Sequence, residues 1–284
     1  MHIFNKLDEL RAWRNTLRQE GKTLAFVPTM GNLHEGHLTL VNEAHKHADV
    51  VITSIFVNPM QFGENEDLDA YPRTFDADCE KLQAEGNHAV FYPNVKEMYP
   101  NGLAQQTFVE VPDTQHTLIA EAAERPGHFR GVSTVVTKLF NMVQPDVAVF
   151  GEKDHQQLRI IQTMVSDLNM PIEIVGVATV REPSGLAKSS RNGYLSTTQK
   201  AQAPALNMAL EQIKAAIQSG NTDAELLVEL GTELINEAGL KTDYIEIRDL
   251  RTHAPFNTQT NEVVILGAAY LGKARLIDNL TFKR

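Results

Sequence analysis

The sequence predicts an α/β protein: a doubly wound, mostly parallel sheet, then a smaller α+β C-terminal domain. Three observations predict it. Through residues 1–176, short apolar runs alternate with segments whose apolar residues recur at helical spacing. The runs follow one another through single helices, as in strand–helix–strand units with right-handed crossovers. After about residue 180 the order becomes two helices and then three strand-like runs. The 284 residues accommodate one large domain or two smaller ones at ~150 residues each.

The elements follow in order. Leu24-Ala25-Phe26-Val27, ended by Pro28, reads as a buried strand, and Leu38 to Lys46 as the helix after it. Val50 to Val57 is β-branched and gives the next strand. Asp78 to Glu85 is helical, with strands expected over 89–92 and 107–111. A helix over 133–143, a strand over 147–150, a helix over 156–168 and a strand over 172–177 complete the first series. Residues 181–195 are polar and contain glycine. Helices are expected over 199–218, capped by Thr197 or Thr198, and over 223–238, capped by Thr222. Strands over 244–248, 263–269 and 274–277 would form an antiparallel sheet.

Composition narrows the function. Apolar residues make up 42% and charged residues 22%, enough for a folded core. The net charge of −10 argues against a nucleic-acid partner, because binding a phosphate backbone needs a basic surface. Cys79 is the one cysteine, which excludes an intrachain disulfide and a cysteine-based zinc site. No run reaches the ~20 apolar residues of a membrane helix, and no secretory signal opens the chain. A soluble protein of the cytoplasm is the expectation.

The segment Pro28 to His37 carries the most chemistry. It follows the first strand and opens the first helix, where an α/β sheet binds ligands. Gly31 and Gly36 allow tight turns, and the helix N-terminus suits phosphate. His34 and His37 share one face of the helix start and can donate to phosphate oxygens. The structural alternative makes one histidine a helix cap and the other a surface residue. The chain lacks G-x-x-x-x-G-K-[ST], His-Glu-x-x-His and an early G-x-G-x-x-G. In Gly151-Glu152-Lys153-Asp154, Lys153 suits a phosphate and Asp154 a ribose hydroxyl or metal, or else this is a charged turn. Lys188-Ser189-Ser190-Arg191 offers a mobile phosphate clamp or a solvated linker. Gln61 presents an amide to a hydroxyl or carboxylate, or sits in an ordinary turn. Arg125 to Val132 offers cations to an anionic substrate, or is a surface turn.

His34-Glu35-Gly36-His37 resembles the HIGH signature of the nucleotidylyltransferase superfamily, and Lys188 to Arg191 a degenerate KMSKS-type loop. With Phe56 to Phe62, Tyr71-Pro72-Arg73-Thr74, Arg125 to Val132, Phe150 to Asp154 and Ser189 to Asn192, the chain resembles the pantoate–β-alanine ligase family from about residue 20 onward. The resemblance implies a Rossmann-like domain over 1–176 binding ATP and pantoate, and a C-terminal lid domain over 177–284. It also implies ATP-dependent joining of pantoate to β-alanine through a pantoyl adenylate. By position, Met30, Gly31, Asn32, Leu33, His34, Glu35, Gly36 and His37 would bind ATP, with His37 as proton donor. Gly151, Glu152, Lys153 and Asp154 would hold adenosine and phosphate, and Val180 would lie near adenine. Ser189, Ser190 and Arg191 would contact phosphate, while the family position of Lys188 is apolar, so Lys188 adds a phosphate contact or points to solvent. Gln61 and Gln157 would orient pantoate, with Gln61 also touching β-alanine. The resemblance implies magnesium brought by ATP, with Asp78 as the candidate to approach it through water, and a homodimer. The rival within the superfamily is a nucleotidylyltransferase that leaves AMP on its product.

Overall fold

The computed structural model describes residues 1–63, 68–112 and 119–284. Its elements are β1 (His2–Phe4), α1 (Leu7–Gln19), β2 (Leu24–Thr29), α2 (Glu35–Ala44), β3 (Val50–Ile55), α3 (Phe75–Ala84), β4 (Ala89–Phe91) and α4 (Val95–Met98). There follow α5 (Glu121–Glu124), α6 (His128–Val143), β5 (Val147–Gly151), α7 (His155–Asp167) and β6 (Glu173–Val177). Then come α8 (Thr197–Gln202), α9 (Ala205–Gln218), α10 (Ala224–Glu237), β7 (Lys241–Asp249), β8 (Glu262–Leu271) and β9 (Ala274–Lys283).

Described residues fall into two compact units. The first takes residues 1–63, 68–112, 125–152 and 156–178; the second takes 119–124, 153–155 and 179–284. In the first, a wholly parallel sheet runs β1-β4-β3-β2-β5-β6. Alternate residues of β2 face opposite layers: Leu24 and Phe26 join a core with Ile52, Phe91 and Phe140, and Ala25 and Val27 join one with Val41, Val51 and Val90. The strand order turns back between β2 and β5, so the crevice for a ligand opens at their carboxyl ends.

In the second unit the antiparallel sheet β7-β8-β9 packs one face on α9 and α10, through Leu210, Ile213, Ile235, Val263 and Ile265. Its other face receives Ala120 against Val264 and Leu266. There Arg275 pairs with Glu121 at 2.6 Å and Asp243 at 2.7 Å, and the Tyr244 hydroxyl donates to Glu121 at 3.0 Å. Burial pushes the Tyr244 phenol well above its ordinary value, so it stays a donor.

Three expectations are corrected. Residues 107–111 form no strand. The Val109 N–H donates to Thr134 Oγ1 (3.0 Å) and its carbonyl accepts from Ser133 Oγ (2.7 Å), so helix hydroxyls replace a ladder. The helix over 199–218 is two helices, because Pro204 has no N–H to continue the first. The caps are Ser196, in a capping box with Gln199, and Asp223, which accepts from Leu226 N–H; neither Thr197, Thr198 nor Thr222 is the cap. The short β1 and the amphipathic α1 are additional elements at the N-terminal end.

One histidine ties stability to pH. His88 Nδ1 accepts the Val51 N–H at 3.0 Å, and burial lowers its pKa below 6.5. A depressed folded pKa gives stability that is full above pH 6.5 and lost as pH falls below it. The urea midpoint of the wild type should therefore drop between pH 7.5 and 5.5. His88→Gln, whose amide oxygen accepts without titrating, should show a smaller drop; an equal drop would show that His88 is not the group responsible.

Candidate active site

The turn from β2 into α2 is built by backbone demands. Gly31 has φ of +82°, and a Cβ there would sit 3.0 Å from Ile55 Cγ2 and 3.3 Å from Asp78 Oδ2. Asp78 is fully buried. Its Oδ2 accepts from Asn32 N–H (2.8 Å) and from Thr74 Oγ1 (3.1 Å), and its Oδ1 accepts from Leu33 N–H (2.8 Å). Lys81 Nζ donates to the Leu33 carbonyl at 2.7 Å. Asp78 is thus the bracket of the 31–33 loop, with both of its oxygens accepting from protein donors.

His34 and His37 cap α2 reciprocally. His34 Nδ1 accepts from Gly36 N–H at 3.1 Å, and His37 Nδ1 accepts from His34 N–H at 3.3 Å. The ring centroids are 4.1 Å apart. A backbone N–H can only donate, so each Nδ1 is an acceptor and each neutral ring carries its proton on Nε2. Both histidines cap, rather than one capping and the other lying at the surface. Nδ1 does the capping in each ring, at a helix N-terminus of the kind that attracts anions. Both side chains are half-buried, as are Met30 and Asn32, whereas Glu35 is exposed.

A second constellation surrounds Gln61, the last residue of a 3-10 turn over Pro59–Gln61. Asn58, 1% exposed, donates from Nδ2 to Gln61 Oε1 at 3.0 Å. Its Oδ1 accepts from the Tyr99 hydroxyl at 2.7 Å and from Met60 N–H at 3.3 Å. Burial raises the Tyr99 pKa, which keeps that hydroxyl protonated and donating. The Asn58 amide cannot flip without setting donor against donor. Gln61 Oε1 is thereby engaged, and its Nε2 remains the group to offer a ligand oxygen.

The Arg125–Val132 segment supports this turn. Arg125 Nη2 donates to the Gln61 carbonyl at 3.1 Å, and His128 Nδ1 donates to the same oxygen at 2.9 Å. His128 Nε2 then accepts from Arg125 Nη1 at 3.1 Å. A Cβ on Gly131 would lie 2.8 Å from the Met60 carbonyl carbon, so only glycine lets α6 approach here. Arg125 and His128 address the Gln61 backbone in this structure, a role sequence pattern alone did not suggest.

The remaining residues lie at or beyond the end of β5. Gly151 closes the strand, Glu152 to Asp154 form a 3-10 turn, and Gln157 is half-buried on the first turn of α7. In the second unit, Lys153 Nζ lies 4.0 Å from Asp154 Oδ2, whose side chain is 48% exposed. Residues 180–188 are a tight hairpin rather than a loose linker. Lys188 N–H donates to the Val180 carbonyl (2.9 Å), Glu182 N–H to Leu186 (2.8 Å), and Gly185 N–H to Glu182 (2.8 Å). Leu186 and Leu195 anchor it in the core. Ser189 caps the 3-10 turn Ser190–Tyr194 by accepting from Arg191 N–H at 3.3 Å. Asn192 Nδ2 donates to the Ala187 carbonyl at 3.0 Å. Lys188, Ser189, Ser190 and Arg191 are all half-buried.

The family model described as pantoate-beta-alanine ligase matches residues 2–281. A protein of Shewanella baltica named pantothenate synthetase is 56% identical over 283 residues, covering 100% of this chain and 98% of its own. The crystal structure of pantothenate synthetase from Thermus thermophilus is 43% identical, with a TM-score of 0.91 and 99% coverage of both chains. A pantoate-beta-alanine ligase from Francisella tularensis, solved in complex with beta-gamma ATP and beta-alanine, is 35% identical with a TM-score of 0.81. That match covers 99% of this chain and 97% of the other.

Proposed function

The chain belongs to the pantoate–β-alanine ligase family, and from that premise we propose how its residues divide the work of making pantothenate. ATP is the activating substrate, as the ATP complex of a relative supports. A carboxylate is a poor electrophile with a poor leaving group, so it must first be activated. In the proposed route an oxygen of pantoate attacks the α-phosphorus of ATP and pyrophosphate leaves. The β-alanine amine then attacks the acyl carbon of the adenylate, loses a proton, and AMP leaves.

The reciprocal cap of His34 and His37 carries this reading: with each Nδ1 accepting a backbone N–H, each ring has Nε2–H as its donor, and both are assigned here to the negative charge that grows on phosphate. The loop Met30 to Leu33, held by Asp78, and the helix start Glu35-Gly36 supply the backbone amides beside them. Lys153, Ser189, Ser190 and Arg191 are proposed phosphate contacts, with Lys188 their neighbour. Asp154 is the proposed ribose ligand, Gly151 and Glu152 the backbone beside adenosine, and Val180 the apolar neighbour of adenine. Gln61 and Gln157 are proposed to hold pantoate, Gln61 through its Nε2–H donors.

Magnesium is proposed as a companion of ATP. Among the described residues no group of three His, Cys, Asp or Glu side chains is placed to hold a metal. No helix among the described residues is long and apolar enough to cross a membrane. A cytoplasmic homodimer completes the proposal.

Product analysis tests the route. AMP should appear in step with pantothenate only when β-alanine is added, and pyrophosphate without AMP would refute the second half-reaction. Gln61→Ala should raise KM for pantoate by about tenfold or more, the effect of losing a hydrogen bond to a charged group, while KM for ATP stays within about twofold. Equal shifts for both substrates would remove Gln61 from pantoate binding.

A further inference from the structure

We infer that Arg181, Asp278 and Asn279 are positioning residues for adenylation: they form one frame that holds the Lys153 backbone and the hairpin leading into Ser189–Arg191. The inference rests on the proposal that these two segments contact the phosphates of ATP.

Asp278 lies on β9 and is 5% exposed. Arg181 approaches it with both arms of its guanidinium, Nη1 to Oδ2 at 2.6 Å and Nη2 to Oδ1 at 2.8 Å. The same guanidinium donates to the Gly185 carbonyl at 3.0 Å and to the Asn279 carbonyl at 3.4 Å. Asn279 N–H donates to Asp278 Oδ1 at 2.8 Å, and Asn279 Nδ2 donates to the Lys153 carbonyl at 2.8 Å. An unbroken set of bonds thus runs from the Lys153 main chain through β9 to the tip of the hairpin.

The hairpin passes the constraint onward. Arg181 is bridged to Ala187, and the Ala187 carbonyl accepts from Asn192 just beyond Arg191. The Asn192 Oδ1 is buried and has no hydrogen-bond partner, so the loop carries an acceptor still to be met. A buried ion pair is a costly way to gain stability, since apolar residues of similar size often do as well. Its planar, two-armed geometry gives something else: a fixed direction and distance. Phosphoryl chemistry requires this, because cations displaced by about an ångström from a developing charge lose much of their effect.

The test separates the two half-reactions. Pantoate-dependent exchange of labelled pyrophosphate into ATP reads adenylation, and single turnover of the preformed adenylate with β-alanine reads the second step. Arg181→Lys keeps the charge and removes the fork. It should lower exchange about 10- to 100-fold and raise KM for ATP. KM for pantoate and the β-alanine step should stay within about twofold. The double variant R181Q/D278N, which buries no lone charge, should lose exchange to the same degree while melting within a few degrees of the wild type. Wild-type exchange in that folded double variant would overturn the inference. So would equal losses in both half-reactions. If the double variant does not fold, the KM for ATP of Arg181→Lys decides alone, and an unchanged value refutes the frame. Lys153→Ala and Arg191→Ala serve as controls. Exchange unaffected by either removes the phosphate assignment and the frame with it. Exchange lost in both but intact in the frame variants refutes the frame only.

Discussion

His37→Ala should lower pantoate-dependent pyrophosphate exchange by about 10²–10³-fold, the range found when one preorganised donor to a developing charge is removed. The fold should survive, because the same change costs α2 one cap bond, of His34 N–H to His37 Nδ1, worth about 1 kcal/mol. His37→Gln separates the two roles. A glutamine at this position can reach back to the His34 N–H as in a capping box, but it carries no imidazole Nε2–H. Its melting temperature should therefore return toward the wild type while exchange stays low. Exchange that recovers together with the melting temperature would make His37 a cap and nothing more.

Asp78→Asn should be the second large effect. An amide keeps the size of the carboxylate but turns one of its ends into a donor. Asp78 receives Leu33 N–H on one oxygen and Asn32 N–H and Thr74 Oγ1 on the other, so the new NH2 must face at least one donor. The expected cost is about 1–3 kcal/mol in urea unfolding, with exchange falling about 100-fold as the loop before His34 loses its bracket. Raising magnesium should restore nothing. Recovery at high magnesium would return Asp78 to the metal and refute its role as a bracket.

The parts of the site legible in the sequence are those whose atoms are local. His34 and His37 are three residues apart on one turn, and the apolar run before them marks the strand that delivers them. Gln61, Lys153 and the Ser189–Arg191 group lie in motifs that follow strands or polar loops. Their supports were not legible, because they come from far along the chain. Tyr99 reaches Asn58 across 41 residues, Asp78 reaches Leu33 across 45, and Arg181 reaches Asp278 across 97. Nothing in composition or periodicity marks such pairs. Asp78 reads equally well as a metal ligand, Arg125 and His128 as anion contacts, and residues 107–111 as a strand. In the folded chain a backbone donor or carbonyl is partnered in all three cases: Asp78 serves the loop amides, Arg125 and His128 the Gln61 carbonyl, and the hydroxyls of α6 the backbone of residues 107–111.

Periodicity and short motifs determined the alternation of strand and helix and marked the turn after β2, and the resemblance those motifs carry implied the class of reaction. Those features depend on spacing along one chain, which a sequence records directly. Tertiary structure decided which groups hold which. It committed Asp78 to the loop, fixed the Gln61 amide through Asn58, set the histidine tautomers, and joined the Lys153 and Ser189–Arg191 segments through one ion pair. The physical reason is the same in each case. A buried polar group must find a partner, and only the folded chain determines which distant donor or acceptor lies within reach.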